Sequence, residues 1–311
     1  MTSFSQIGKE YLRLASARVS RDQPALLIFL FHAIFTDREE IKKDLIAPQQ
    51  RFTVADFARF VAYYHHHGYR FVGPAEVIQG LDPRGRYVMI TFDDGYFNNT
   101  RVLPVLEKYR APALFFITSD NTRSQHCYWW DVLYRQLRQA GRNRKQISRA
   151  MAAFFRQRHD EIEAKLLAAF GARAFTPRAD TDRPLSAGEL TAFARHPLVH
   201  IGNHTAHHAI LTNYDPDGIE AEMRQCQAYL GRLLGEEPAA VAYPHGNCNE
   251  AVIQAAARLG FKLGITTRKQ KNRLPLNAEP AARLALGRFT LWGTRPIANQ
   301  CAIFRGNWNY R

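Results

Sequence analysis

Six short apolar runs recur along the chain, and their alternation with helical patterns constrains the fold more than any other feature. Helical periodicity marks residues 53–67, which open on Thr53 as an N-cap, then 98–109, and then 217–234 with Gly235 as a C-cap. Strands that alternate with helices predict an α/β domain built on a mostly parallel sheet. The predicted strands are ALLIFLF (25–31), YVMITF (87–92), ALFFIT (113–118), LVHIG (198–202), AVAYP (240–244) and GITT (264–267).

Residues 132–183 interrupt this alternation with a basic, alanine-rich stretch of helical character. The stretch lies between the predicted strand that ends near Thr118 and the one that begins near Leu198. We therefore predict a helical insertion within a single domain that spans residues 1–311. A chain of 311 residues, 46% of them hydrophobic, is long enough to bury one such core.

The formal net charge of +14 is concentrated in two segments. Residues 132–183 hold 12 Lys/Arg against 5 Asp/Glu, and residues 262–311 hold 10 against 1. A positive field attracts phosphates, so nucleic acid, an anionic membrane surface and a phosphate-bearing glycolipid are all eligible partners, although a solvated basic face explains the charge equally well. Nucleic-acid binding is disfavoured because the sequence has no aromatic RNA-binding signature and no helix-turn-helix pattern.

The cysteines and the first residues indicate a cytoplasmic protein. The four cysteines form no CxxC pair, which predicts free thiols in a reducing compartment. Lys9, Glu10 and Arg13 interrupt the pattern of a secretory leader, and the apolar run 25–35 is too short to span a bilayer. The expected location is the cytoplasm, with peripheral contact to the inner face of the membrane allowed by the charge.

The first chemical motif, TFDDG at residues 91–95, follows a predicted strand directly. Asp93 and Asp94 therefore lie at the carboxyl end of that strand, where ligand sites collect in α/β sheets and barrels. Two adjacent carboxylates repel each other unless a proton or a cation neutralises one of them. Asp-Asp-Gly is also an ordinary turn sequence, so the motif alone fits either a site or a turn.

The second motif, NHTAHH at residues 203–208, places His204 and His208 four positions apart. The two imidazoles would share one face if the segment is helical, and paired imidazoles at this spacing are common in zinc sites. His207 would point elsewhere and is not a candidate ligand. Two histidines with one carboxylate leave coordination positions open, which suits a catalytic site better than a structural one.

Two further segments are candidates for substrate contact. The segment AYPHG at 242–246 is predicted to form a tight loop whose backbone N–H groups could face a developing oxyanion, although by itself it is just a turn. The segment YWWD at 128–131 is predicted to lie on the loop after the strand that ends near Thr118, on the side where the motifs gather, and its aromatic faces suit either sugar stacking or core packing. The predicted substrate contacts are Tyr243, Pro244, His245, Gly246, Trp129 and Trp130.

The order TFDDG, then HTAHH, then YPHG resembles the polysaccharide deacetylase family, the NodB-homology group of carbohydrate esterases. The resemblance covers about residues 25–120 and 185–290. It implies a distorted (β/α) barrel of about seven parallel strands. It also implies hydrolytic N-deacetylation of an N-acetylated sugar in polysaccharide or surface-glycan biosynthesis.

The resemblance implies a role for each motif residue. Asp93 matches the catalytic base, and Asp94, His204 and His208 match the ligands of a divalent cation, with zinc favoured and cobalt or nickel as alternatives. In the implied reaction, Asp93 deprotonates a water activated by the cation, the hydroxide attacks the amide carbon, and a general acid protonates the departing amine.

The sequence departs from the commonest family pattern at two points. No histidine follows His245, so the usual Leu-x-His acid is missing and His32, at the end of the first apolar run, is the predicted acid. His126 and His245 are weaker candidates, and a buried structural histidine is the alternative for His32. Ala242 stands where many relatives carry the arginine that supports the base, so this support is missing or comes from elsewhere.

Other functions use the same residues. A deformylase of a lipid-linked amino sugar or a cyclic-imide hydrolase would need the same metal and base. A glycan-binding homologue with weakened catalysis would explain the missing histidine and arginine. The charge and the absent leader favour a carbohydrate substrate carried on a nucleotide- or lipid-diphosphate-linked precursor.

Overall fold

The structure is a computed structural model that describes residues 22–277 and 279–306. The prediction that the first residues form no leader therefore lies outside the described part. Strand β1 (Ala25–Phe31) is buried along its whole length and pairs in parallel with β5 (Arg86–Phe92), in register from Ala25 with Arg86 to Phe31 with Phe92. A strand covered on both faces needs the continuous apolar run that this sequence provides.

The other predicted strands extend this sheet on one side. These and the remaining strands are β2 (Ile34–Phe35), β3 (Phe52–Thr53), β4 (Arg70–Phe71), β6 (Ala113–Ile117), β7 (Val199–Asn203), β8 (Ala240–Ala242), β9 (Leu263–Ile265), β10 (Asn272–Arg273) and β11 (Phe289–Thr290). The described order is β10-β1-β5-β6-β7-β8-β9, with β11 also paired to β1 and β4 to β5, and all pairs except β1 with β10 are parallel. The predicted (β/α) barrel fold is confirmed as a curled, mostly parallel sheet with helices around it.

The segment 286–290 connects the two ends of the curled sheet. Leu286 forms a parallel bridge with Ile265 of β9, and Leu286 N–H donates to Gly264 O at 2.9 Å. Four residues later, Thr290 pairs with Leu30 of β1. One short stretch of chain therefore contacts both the last and the first strand, which places its side chains close to the carboxyl end of β5.

Helices cover the outside of the sheet, and their ends carry the expected caps. Thr53 accepts from Asp56 N–H and Asp56 accepts in return, which starts the helix Val54–His66 as a capping box. Gly235 ends Pro216–Leu234 in the left-handed conformation. The remaining α-helices are Arg38–Lys42, Pro74–Gln79, Leu103–Tyr109, Ser119–Ser124, Trp129–Gln139, Arg144–Ala152, His159–Phe170, Ala187–Ala194, Glu250–Arg258, Pro280–Arg283 and Ile297–Arg305, with 3₁₀ turns at Phe97–Val102, Ala172–Phe175, Leu211–Asn213 and Pro244–Gly246. None of the helices in the described ranges is long and apolar enough to cross a membrane.

The stretch predicted as a basic helical insertion, residues 132–183, contains three α-helices, and that it is an insertion stays a prediction. Its first helix starts at Trp129, and the next two are Arg144–Ala152 and His159–Phe170. Arg135 forms a buried ion pair with Asp182, and its Nη2 donates to Ala174 O at 2.7 Å. These contacts tie the start of the insertion to its end. The single-domain assignment stays a prediction.

Candidate active site

Asp93 and Asp94 lie in the two positions that follow β5, and both are buried. Asp93 N–H donates to Phe31 O at 2.9 Å and so continues the ladder between β5 and β1. Asp94 turns the chain with φ +79°, in the left-handed region that non-glycine residues seldom occupy. Tyr128 Oη donates to Asp94 O at 2.8 Å and holds this turn. The two adjacent carboxylates therefore have fixed and different directions.

His204 and His208 converge through a loop, because the segment after β7 is not helical. Thr205 and His208 have φ of 66° and 53°, again in the left-handed region. Asn203 Oδ1 accepts from Thr205 N–H at 2.8 Å, and Thr205 Oγ1 accepts from Ala209 N–H at 2.9 Å. These side-chain bonds occupy backbone donors that a helix would use, so the chain turns tightly instead. The two imidazoles therefore come together through a loop and not on one face of a helix; their role as metal ligands stays a prediction.

The side chains of Asp94, His204 and His208 form a donor set that fits a divalent cation. His204 Nε2 and His208 Nε2 lie 3.5 and 3.4 Å from Asp94 Oδ1. Tetrahedral zinc with bonds of about 2.0–2.1 Å places its ligand atoms about 3.3–3.4 Å apart, so these separations match the edges of such a site. Both carboxylate oxygens of Asp94 are buried and lack a hydrogen-bond partner, a costly arrangement unless a cation accepts them.

Neighbouring groups set the protonation states of His204 and Asp94. His204 Nδ1 lies 2.8 Å from Ala242 O, so this nitrogen carries the proton and Nε2 keeps its lone pair for a metal. Burial opposes ionisation of Asp94, but the neighbouring His204 and His208 outweigh it and hold the pKa of Asp94 well below its usual range. His207 lies outside this group, because its Nδ1 is 2.8 Å from Glu222 Oε1.

Arg288 supplies the support for Asp93 that the sequence left unassigned. Its Nη1 donates to Asp93 Oδ1 at 2.8 Å and its Nη2 to Oδ2 at 2.5 Å, which is a two-pronged contact between buried groups. Burial opposes ionisation of Asp93, but the charge of Arg288, followed by that of His204, holds its pKa below the usual value. Asp93 is therefore a carboxylate at neutral pH.

His32 follows β1 and lines the same cavity as Asp93 and Asp94. Its Nδ1 lies 3.0 Å from Gln50 Oε1, and its carbonyl accepts from Asn99 Nδ2 at 2.8 Å. The structure thus places the predicted acid beside the predicted base. His126, a weaker candidate, is exposed and lies outside the residues that line this cavity.

The cavity has a volume of about 320 Å³ and joins the charged groups to an apolar wall. Trp129 and Trp130 lie in the first turn of a helix, not in a loop as the sequence suggested, and both also pack in the core. Trp130 Nε1 donates to Tyr96 Oη at 2.9 Å, so the indole N–H is already bonded and only the carbon face of the indole is available to a ligand in the cavity. The lining residues are Leu30, His32, Ala47, Gln49, Asp93, Asp94, Trp129, Trp130, Met151, Phe155, His208, His245 and Thr267.

The loop 243–246 reaches the cavity through His245, while Tyr243 and Pro244 are buried behind it. Tyr243 Oη donates to Leu284 O at 2.9 Å, and Tyr243 N–H donates to Ile265 O. Gly246 N–H donates to Tyr243 O, and Pro244 has no N–H. Among residues 243–246, the N–H of His245 therefore remains available to an oxyanion. Desolvation, followed by the charge of His208, holds the pKa of His245 below its usual value, so its ring is neutral at pH 7.

A family model described as "Polysaccharide deacetylase" matches residues 80–264, more than half of the chain. The chain belongs to the polysaccharide deacetylase family. A relative of this deacetylase is YxkH of Bacillus subtilis (strain 168), named as a polysaccharide deacetylase, at 22% identity over 81% of this chain and 68% of YxkH.

Solved deacetylases share the fold. The Streptococcus pyogenes deacetylase PplD in complex with acetate aligns with a TM-score of 0.60 and 21% identity, over 92% of this chain and 99% of that one. IcaB from Ammonifex degensii aligns with a TM-score of 0.59 and 19% identity, over 92% of this chain and 99% of that one. Membership of the family makes the chain a hydrolase of amide bonds.

Two residues that support the site, Arg288 and Gln50, are not among the residues predicted from the sequence. Arg288 is the one charged residue in the stretch 284–292, whose other residues are apolar, small or Thr. A lone arginine in such a stretch indicates a buried partner, and this signal could have identified it. Gln50 lies in a polar segment between two elements and carries no comparable signal.

Proposed function

We propose that this deacetylase removes the acetyl group from an N-acetylated sugar with the help of a divalent cation, zinc being favoured. One observation supports the proposal most strongly. One cavity is lined by Asp93, Asp94, His208 and His32, while Arg288 binds Asp93 and His204 lies beside Asp94. Such a combination of base, cation ligands and acid suits hydrolysis of an amide.

Each group at the site has a separate role in the proposed hydrolysis. When bound, a divalent cation would act as a Lewis acid toward the acyl oxygen and acidify a water molecule. Asp93 is held ionised by Arg288 and accepts the proton of the attacking water. His245 N–H is available to the developing oxyanion. His32 is placed to give a proton to the departing amine.

The supporting arginine bears on the alternative of a catalytically weakened homologue. Absence of a cation next to the base was one argument for lost turnover, because a carboxylate without that support would be held less firmly and less fully ionised. Arg288 supplies this cation from a different position in the chain. The missing arginine at position 242 therefore gives no support to a purely glycan-binding function.

We also propose a phosphate-bearing substrate, a nucleotide- or lipid-diphosphate-linked sugar, in the cytoplasm at the inner face of the membrane. The support is the charge of a segment that also contributes to the cavity. Residues 132–158 contain eight Lys/Arg and no Asp/Glu, and Arg144, Lys145 and Arg149 are exposed. Met151 and Phe155 of the same segment line the cavity. The positive field of this segment would attract an anionic group on the substrate.

The decisive experiment measures which acid and which amine zinc-loaded protein releases. We expect acetate from N-acetylglucosamine oligomers or from diphosphate-linked N-acetylated sugars, and loss of release in Asp93→Asn. Formate release from N-formyl sugars without acetate release would favour the deformylase alternative. Equal release by wild type and Asp93→Asn from every substrate would refute the assignment of the base.

The phosphate preference has its own test. Triple replacement of Arg144, Lys145 and Arg149 by glutamate should raise KM for a diphosphate-linked substrate about tenfold and leave KM for the neutral oligomer within twofold. Sedimentation with vesicles containing anionic lipid should decrease in the same variant. Unchanged values in both assays would remove the basis for the proposed location.

A further inference from the structure

We propose that Gln50 is a positioning residue that fixes the tautomer of His32, with the proton on Nδ1 and with Nε2 directed to the leaving nitrogen of the substrate. The proposal rests on the proposed function only in taking His32 as the proton donor. The position of Gln50 and its bonds to His32 are independent of that assumption.

The orientation of the Gln50 amide follows from its four hydrogen bonds. Gln50 is buried, and its Nε2 donates to two backbone carbonyls, Leu30 O at 2.8 Å and Leu291 O at 3.0 Å. A flipped amide would direct its oxygen at these two carbonyl oxygens, so the flipped orientation is excluded. Gln50 Oε1 therefore faces His32.

This oxygen determines which ring nitrogen of His32 carries the proton. Gln50 Oε1 accepts from His32 N–H at 2.9 Å and lies 3.0 Å from His32 Nδ1. An amide oxygen cannot donate, so Nδ1 must be the donor. Nδ1 then keeps its proton throughout the reaction, and Nε2 is the nitrogen that gives a proton to the amine. The imidazolium becomes a neutral ring protonated on Nδ1, and the amine leaves with the Nε2 proton.

The same stretch of chain supports both the acid and the base. Arg288 binds Asp93, and Leu291, three residues further along the chain, accepts a hydrogen bond from Gln50. Gly293 N–H also donates to Gln50 O at 2.8 Å. Segment 288–293 therefore fixes Asp93 directly and His32 through Gln50, which gives the two groups of the proposed reaction a common anchor.

The test compares an amide substrate with an activated ester in the zinc-loaded enzyme. 4-Nitrophenolate departs without protonation, so 4-nitrophenyl acetate does not need the acid. In Gln50→Leu we expect kcat for the N-acetylated sugar to fall about 10–100-fold, with KM within twofold and ester hydrolysis within about threefold. His32→Ala should give a larger effect of the same kind, and the double variant should be no worse than His32→Ala.

Gln300→Leu is the matched control. Gln300 is also buried, and its side chain does not bond His32. Its Oε1 accepts from Trp292 N–H at 2.9 Å, and its Nε2 donates to Trp292 O at 2.9 Å. A general loosening of segment 288–293 would change the ratio of amide to ester hydrolysis equally in Gln50→Leu and Gln300→Leu. A parallel loss of amide and ester hydrolysis in Gln50→Leu would overturn the positioning role.

A second measurement does not depend on activity. Spectra of ¹⁵N-histidine-labelled protein, with the signals of His32 assigned by their loss in His32→Ala, identify the protonated nitrogen. We expect the neutral ring to be protonated on Nδ1 in wild type and predominantly on Nε2 in Gln50→Leu. Wild-type protonation on Nε2, or identical tautomers in both proteins, would refute the proposal. If wild type hydrolyses no substrate, the proposed function fails while the tautomer is still read from these spectra.

Discussion

Replacement of Arg288 by methionine leaves the buried carboxylate of Asp93 without its cation. The side chains of Arg288 and Asp93 are 1% and 4% exposed, so water cannot take the place of the guanidinium without a rearrangement of the barrel end. Arg288 also donates from Nε to Thr266 O and from Nη1 to Thr91 Oγ1, both at 3.1 Å. Methionine fills much of the volume and retains none of these four bonds.

The expected loss of unfolding free energy is about 3–5 kcal/mol at pH 7, the cost of removing one partner of a buried ion pair. The folded-state pKa of Asp93 lies below its usual value, so the stabilisation it gives is present above the unfolded-state pKa of about 3.9 and is lost as pH falls through the folded-state pKa. The deficit of Arg288→Met should therefore be complete at pH 7 and shrink below about pH 4. Deacetylation at neutral pH should also fall at least about tenfold, or about 1.4 kcal/mol of barrier, because Asp93 loses the two hydrogen bonds that orient it.

Urea unfolding with a chelator present measures this deficit without a contribution from metal binding. Arg59→Met is the matched control, because Arg59 Nη1 lies 3.2 Å from Asp56 Oδ1 but its side chain is 69% exposed, and its loss should cost no more than about 1 kcal/mol. The double variant Arg288→Met/Asp93→Asn should recover part of the stability, because no buried charge remains. Equal losses in Arg288→Met and Arg59→Met would contradict the argument.

Three further predictions address the metal, the pH dependence and the thiols. Asp94→Ala should lower the bound zinc from about one per chain to near zero by elemental analysis after dialysis, whereas His207→Ala should retain it; retention by both variants would place the metal elsewhere. Arg183 lowers the pKa of Glu189 to about 2 through two hydrogen bonds, so the stability that Glu189 adds is complete above about pH 4.5 and fades toward pH 2, and Glu189→Gln should cost about 1 kcal/mol at pH 7 and little at pH 2.5 in urea titrations. A neutral thiol reagent should label Cys248 first, because it is the partly exposed cysteine among the four, and early labelling of two or more thiols would indicate a looser core.

Local sequence patterns predicted the strands of the sheet with small errors at their ends. The run 25–31 is β1 without adjustment, and the run 240–244 becomes the shorter strand Ala240–Ala242. A strand covered on both faces must be apolar throughout, so an uninterrupted run of apolar residues marks its position in the sequence. The motif residues were predictable for a similar reason, because Asp93, Asp94 and His204 each lie within two residues of the end of such a run.

The loop geometry of the candidate metal site could not be predicted from spacing. His204 and His208 meet because Thr205 and His208 adopt the left-handed conformation and because Asn203 bonds the backbone of the loop. The same residue spacing is compatible with a helix. The choice between the two depends on side-chain bonds and on neighbouring strands, which a helical periodicity does not describe.

The sequence by itself determined the parallel α/β architecture, the carboxylate pair and the two histidine ligands of the candidate site. Only the tertiary structure decided what supports them. Arg288 lies 195 residues from Asp93, and Gln50 lies 18 residues from His32 and 241 from Leu291. The contact of Arg288 arises because segment 286–290 connects the two ends of the curled sheet, and Leu291 follows that segment directly. A partner brought close by closure of a sheet leaves no periodic or local signal in the chain, whereas a strand and the residues at its end do.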